Sequence, residues 1–311
     1  VTPENEALYR SWQRKRKAGG YAELPRNRQA LERLDRHCGG RPLTELGRGD
    51  LLGFVGDGLA DMSESGRATY FSSCRAFYNW AASDEEGLLD KSPMRGMAQP
   101  KVSKRPTPVP GRDHIAALLA SVERDRTPMG RRDTAMIRLM LDTGGPRASE
   151  VATMLIAGRP HPAGTPRGLG IDLARDTVTV AGKGGKVRTW PIAAKTASAA
   201  ERWLRARDAT AAGRAHARLW TTFRSTQRPL TYSGVEGILQ RRCEAAGVAH
   251  LHPHQLRHYS YHWFLKAGGQ RLDAMQLYGW DDEAMPRHYA AALAEERSIE
   301  AGHALAIGDQ W

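Results

Sequence analysis

The chain has 311 residues, 41% of them hydrophobic, enough for one large domain or two ordinary ones. Lys and Arg outnumber Asp and Glu 46 to 34, a surplus that points to a polyanionic partner, most often nucleic acid. Cys38, Cys74 and Cys243 are widely spaced and odd in number, which excludes a disulfide framework and a CxxC zinc pattern, and no apolar run approaches the roughly 20 residues of a membrane span.

The basic surplus is spread along the chain: 18 Lys and Arg against 14 Asp and Glu in residues 1–105, and 28 against 20 in residues 106–311. A grip on a polyanion from two sides fits that spread better than one basic tail. The opening VTPENEALYR is polar and charged, unlike a signal peptide. The expected location is therefore the cytoplasm, with access to DNA.

To about residue 98 the chain reads as helical. RNRQALERLDRHCGG (26–40) has Ala30, Leu31 and Leu34 at helical spacing and stops at a glycine pair. Asp50 is expected to start a helix carrying Leu51, Leu52, Phe54 and Val55, one that its glycines make dependent on packing. The strongest helix is SGRATYFSSCRAFYNWAASDEEG (65–87), with Tyr70, Cys74, Phe77, Tyr78 and Ala81 on one face. That stripe reads as core, and Arg67, Thr69 and Arg75 are left to solvent or to phosphates. SPMRGMAQPKVSKRPTPVPGRD (92–113) has five prolines among its cations and reads as an extended linker whose charges suit a DNA backbone.

Helices are predicted over 114–125 and 131–145, then a helix start at 147–154 and a loop at 157–168 for whose length the sequence offers no reason. IDLARDTVTVAGKGGKVRTWPI (171–192) alternates like paired strands, with GKGG turning TVTVA into VRTWPI. The rest is helical: TASAAERWLRARDAT, YSGVEGILQRRCEAAG, HQLRHYSYHWFLKAGG, RLDAMQLYGW and a stretch from Met285 onward. The fold class is thus mainly α with a small antiparallel β-sheet (α+β).

Six polar residues recur in order through the second half: Arg147 in GGPRASE, Lys183 in GKGGKVR, His254 and Arg257 in HQLRH, Trp280 in YGWDD and Tyr289 in MPRHY. Two guanidiniums, an ammonium, an imidazole and an indole N–H all donate to phosphate oxygens, and a phenol can attack phosphorus. The set suits phosphoryl transfer by positioning and charge neutralisation. Each member also has a plainer use. Arg147 can pair with Glu150 on a surface, Lys183 can be a solvated turn lysine with Lys186 and Arg188 as rivals, and His254 stands among His252, His258 and His262. Trp280 can be a core tryptophan, and Tyr278 is the nearest rival of Tyr289.

The order R…K…HxxR…W…Y behind a small helical segment resembles the tyrosine recombinase family, over essentially the whole chain. GGPRASE departs from the family's TGLRxSE at Gly144 and Pro146. The resemblance implies a helical, SAM-like core-binding domain over residues 1–98, a basic Pro-rich linker over 99–112 and a catalytic domain over 113–311. It implies Tyr289 as nucleophile, Lys183 as acid for the leaving 5′-oxygen, and Arg147, Arg257, His254 and Trp280 around the phosphate, with no cofactor and no metal. Glu150 is expected to orient Arg147, and His258 to be structural. The implied partners are double-stranded DNA core sites and further copies of the chain, two per site and four in the synapse. The family also admits an accessory DNA-bending or directionality protein. A bacterial or phage-encoded, nucleoid-associated enzyme of the simple Xer-like or Cre-like type is expected, because the core-binding pattern starts within the first few dozen residues. A type IB topoisomerase-like nicking-closing enzyme and a DNA-binding or architectural protein without catalysis remain alternatives.

Overall fold

The computed structural model describes residues 1–310 apart from 22, 104–107, 143–146, 162–164, 166–167, 183–184, 224–226 and 291–293, together with the backbone but not the side chains of 288–290, 307 and 310. It divides into two compact units, Val1–Arg105 and Pro106–Trp311. Among the described residues no helix is long and apolar enough to cross a membrane.

The first unit is built from α1 (Pro3–Ala18), α2 (Pro25–His37), α3 (Arg48–Gly53) and α4 (Glu64–Ala81). Thr2 caps α1 and Ser63 caps α4 through their hydroxyls. The core joins Trp12, Leu34, Phe54, Phe71, Phe77 and Tyr78. Of the predicted stripe on α4, Cys74, Phe77, Tyr78 and Ala81 are buried and Tyr70 partly so. Burial pushes the Cys74 thiol up to about 12, an inert thiol.

Three local expectations need correction. Helix α3 starts at Arg48, and Asp50 is its third residue, reaching back to the Gly47 N–H at 2.8 Å. A carboxylate three residues into a helix closes the first turn from inside. Met94 and Met97, placed in the extended linker, are buried in the core of the first unit. Arg75, read as open to solvent or phosphates, is half-buried: it lies 4.5 Å from the Phe71 ring centroid and donates to the Met97 carbonyl.

The second unit begins with α5 (Arg112–Arg124) and α6 (Pro128–Leu141). Helix α6 is buried along most of its length and packs against α5 and against α8 (Ala194–Asp208). Between them come α7 (Ala148–Thr153) and strands β1 (Gly170–Asp172), β2 (Thr177–Ala181) and β3 (Val187–Pro191). The strands form one antiparallel sheet in the order β1-β2-β3, with Gly170 opposite Thr179 and Val178 opposite Trp190. The predicted hairpin is therefore present, with β1 added at its edge. On β3 the alternation is strict: Val187, Thr189 and Pro191 face out, Arg188 and Trp190 face in.

The chain continues through α9 (Ala211–Ala215), α10 (Tyr232–Ala246), α11 (Pro253–Lys266), α12 (Arg271–Tyr278), α13 (Ala284–Ala290) and α14 (Ala294–Leu305). The main core of this unit gathers Met136, Ile137, Val151, Trp203, Trp220 and Leu256. A smaller cluster, Tyr261, Ala274, Tyr278 and Trp280, joins α11, α12 and the turn after α12. Helix α14 buries no side chain and meets α11 through Lys266, which pairs with Glu296 at 3.2 Å and Glu300 at 2.8 Å.

Candidate functional site

Each element that delivers a predicted site residue is fixed by its own sequence. Arg147 is the N-cap of α7, and Glu150, three residues on, accepts its backbone N–H at 2.8 Å and its Nη1 at 2.9 Å. The Glu150 side chain is 6% exposed while that of Arg147 is 41% exposed. The carboxylate thus belongs to the scaffold and the guanidinium reaches solvent. Glu150 orients Arg147, as the sequence suggested.

Helix α11 opens with Pro253 in its first turn, and Gln255 accepts the backbone N–H of His252 at 2.9 Å. His254 follows on the exposed side, 4.9 Å from His258 between ring centroids. His258 is fully buried, in keeping with a structural role. Arg257, one turn on, is 2% exposed and gives Nη2 to the Tyr278 carbonyl at 2.6 Å.

Helix α12 ends at Gly279, whose φ of 65° puts the chain in the left-handed region. Residues two apart do not face each other on a helix, but this turn stacks Trp280 on Tyr278, 4.6 Å apart at 26°. The Arg257 guanidinium lies 4.6 Å from the Tyr278 ring centroid and 5.6 Å from that of Trp280, within cation–π range. Tyr261 meets Trp280 edge-on at 5.0 Å. Trp280 is 7% exposed, so it packs in this cluster in addition to any bond its indole makes.

The residue whose place the sequence did not reveal is Arg188. Read as a rival of Lys183 in the hairpin, it is instead 5% exposed on the inner face of β3. It gives Nη1 to the Tyr278 carbonyl at 2.5 Å and Nη2 to Glu150. Burial pulls its guanidinium down from the usual range, and the Glu150 carboxylate opposes that shift. These hydrogen bonds form an unbroken chain: Arg147 to Glu150, Glu150 to Arg188, Arg188 to the Tyr278 carbonyl, and that carbonyl to Arg257. Residues 110 positions apart are brought together in this way. Lys186, the other rival, is exposed and pairs with Asp281. Lys183 lies outside the described residues.

Tyr289 has its backbone in α13, which packs on α11 and α12; its side chain lies outside the described residues. The arginine-bearing helix and the tyrosine-bearing helix are therefore neighbours.

Gly279 gives a direct test of this arrangement. A Cβ there would lie 2.6 Å from Arg188 Cδ and 2.8 Å from Arg188 Nη1, on a backbone with φ of +65°. Gly279→Ala should cost about 1–3 kcal/mol from backbone strain, with the clash in addition. It should also displace the carbonyl that holds Arg188 and Arg257. Thermal unfolding reads the loss, and an unchanged melting temperature would contradict the geometry.

The bonded chain from Arg147 to Arg257 lies in the unit whose α13 carries the Tyr289 backbone, and comparison with known proteins gives the class. The model of the phage integrase family matches residues 111–296. The chain is 30% identical over 236 residues to tyrosine recombinase XerD of Neisseria meningitidis serogroup A, covering 74% of each. It is 26% identical over 260 residues to XerC of Corynebacterium efficiens, covering 83% of this chain and 77% of that one. Among solved structures, the XerH site-specific recombinase bound to palindromic difH substrate superposes with a TM-score of 0.69 at 15% identity, covering 97% of this chain and 85% of XerH. A lambda integrase dimer bound to a COC′ core site gives 0.66 at 14% identity, with 91% and 75% covered. The chain belongs to the phage integrase family and is a tyrosine site-specific recombinase, an enzyme of DNA recombination.

Proposed function

We propose that Tyr289 attacks the scissile phosphate of a duplex core site and forms a 3′-phosphotyrosyl link, releasing a 5′-hydroxyl. The new bond joins the phenol oxygen to phosphorus, and the bond that breaks joins phosphorus to the 5′-oxygen. Lys183 gives its proton to that leaving oxygen. His254 takes up the phenol proton or donates to the phosphate. Arg147 and Arg257 neutralise the charge that builds on the non-bridging oxygens, and the Trp280 N–H adds a donor. A 5′-hydroxyl from a partner strand then reverses the reaction. The tyrosyl ester keeps the energy of the broken diester, so rejoining needs no nucleotide cofactor.

The observation that carries this reading is the bonded chain from Arg147 to Arg257, which unites two distant arginines around Glu150, Arg188 and the Tyr278 carbonyl. The test is a nicked suicide duplex of a sequence selected by binding from a random pool. Covalent adduct with strand exchange is expected on a denaturing gel. Adduct with relaxation alone would mean a nicking-closing enzyme, and binding without adduct would mean a DNA-binding protein.

In this proposal the first unit serves as the core-binding domain, two protomers grip each core site, and four form the synapse. The enzyme works in the cytoplasm on nucleoid or phage DNA. The tail after Tyr289 docks on a neighbouring protomer through Leu293, Ile299, Leu305 and Ile307. Leu293 and the Ile307 side chain lie outside the described residues, while Ile299 and Leu305 are 54% and 60% exposed. Two open apolar side chains on a helix that buries none support such a docking role. Deleting residues 300–311 should impair synapsis while leaving single-site binding intact, as native gels with one and two duplexes would record. Undiminished recombination by the shortened chain would refute it.

A further inference from the structure

We infer that Arg188 is a positioning residue for the recombination reaction: it sets the spacing of the two phosphate-binding arginines without touching the phosphate itself. The inference rests on the proposed roles of Arg147 and Arg257. Four observations carry it.

Arg188 is buried on the inner face of β3 at 5% exposure, so it is not offered to DNA as a surface cation. Its two terminal nitrogens go to different places, one to Glu150 and one to the Tyr278 carbonyl. Glu150 is the carboxylate that orients Arg147, and the Tyr278 carbonyl is the acceptor that holds Arg257. One rigid, planar fork therefore spans the supports of both guanidiniums. A lysine has a single donor centre and cannot span them.

The surroundings are shaped around this fork. A Cβ at Gly279 would strike its Cδ, Nε and Nη1 at 2.6–2.9 Å. A Cβ at Gly182 would lie 3.0 Å from Glu150 Oε1 and 3.1 Å from Arg188 Nη2. Glycines on both sides let backbone approach the bridge. Gly182 also follows the last residue of β2, and its N–H bonds the Lys186 carbonyl at 2.8 Å. Arg188 consequently ties the supports of the arginine at the N-cap of α7 and the arginine on α11 to the β2–β3 hairpin.

The experiment uses the full chain, single-turnover cleavage of the selected nicked duplex, and two forms of the scissile group: the ordinary diester and an uncharged methylphosphonate. Paired guanidiniums matter most where negative charge must be offset, so a fault in their placement slows the diester far more than the neutral analogue. Arg188→Met should slow diester cleavage about 100-fold, the scale of one lost charge-stabilising donor, with duplex affinity unchanged and a much smaller loss on the methylphosphonate. Equal slowing of both substrates would overturn the inference and leave Arg188 as a purely structural cation.

Removing the guanidinium takes one donor from the buried Glu150 carboxylate and leaves it those of Arg147, so stability is controlled separately. Arg188→Met/Glu150→Gln should regain the melting temperature but not the diester rate. Recovery of the rate along with stability would also overturn the inference. If Arg188→Met does not fold, Arg188→Lys, which keeps the charge, carries the comparison with the same two criteria. Arg147→Ala separates the two levels of the argument. If it lacks the diester-selective loss, the underlying site assignment fails. If it has that loss and the Arg188 variants do not, only the positioning role fails.

Discussion

Tyr289→Phe is expected to bind duplex core DNA as the unmodified chain does and to form no covalent adduct at all. Phenylalanine keeps an aromatic ring and deletes only the oxygen that would bond to phosphorus. The assignment also follows from the other tyrosines of the second unit. Tyr278 is fully buried, gives its hydroxyl to Ser260 at 3.0 Å and has the Arg257 guanidinium against its ring. Tyr261 is fully buried, and burial raises its phenol pKa. Burial likewise raises that of Tyr259. Tyr232 is exposed but donates to Glu236 at 2.7 Å, and that bond to a carboxylate holds its phenol pKa up. A phenol that starts near pKa 10 must be made easier to ionise, not harder, so Tyr232, Tyr259 and Tyr261 are poor nucleophiles, and Tyr278 is kept from DNA by its burial. Peptide mapping of the adduct reads the outcome directly. An adduct that survives Tyr289→Phe would end the proposal.

The second large effect is expected at Arg257. Arg257→Ala should reduce single-turnover cleavage by about 100- to 1,000-fold, roughly 3–4 kcal/mol of transition-state stabilisation. Duplex affinity should change little, because affinity is summed over many phosphate contacts along the backbone. The loss has two parts. The guanidinium leaves the phosphate, and the Tyr278–Trp280 stack loses the cation beside it. The Tyr278 carbonyl keeps Arg188 as a donor, so the turn at Gly279 should survive and the variant should fold. Arg257→Lys is the informative companion: it restores charge without the planar fork and should recover only part of the rate. Cleavage within a few-fold of the unmodified chain for Arg257→Ala would show that this arginine does not serve the phosphate.

Much of this arrangement can be read from the chain because its signals are local. Alternation over 177–191 gives the hairpin, and an arginine and histidine three apart at a helix start give α11 its place in the site. Arg188 shows where local signals stop. Strand alternation alone pairs it with Trp190 on one face, yet a buried guanidinium is credible only with a partner. Its partners, Glu150 and the Tyr278 carbonyl, stand 38 and 90 residues away. Gly279 is legible in part: a glycine after RLDAMQLY is an ordinary left-handed helix stop, but the stacking of residues two apart and the closeness of Arg188 are not local signals. The methionines of the linker failed for the opposite reason. Five prolines and a run of cations dominate the composition of 92–113, while two side chains, Met94 and Met97, decide which unit part of it joins.

The attachment of the last helix differs in kind from that of the core. Helix α14 meets α11 through solvent-accessible carboxylates on Lys266. Attraction between exposed charges fades as counter-ions crowd in, with a screening length of about 8 Å at physiological ionic strength. Apolar burial is not weakened by the same ions. The share of the hold on the C-terminal helix that Lys266 supplies is therefore graded by the ionic medium, and the two carboxylates it frees become acceptors for cations elsewhere.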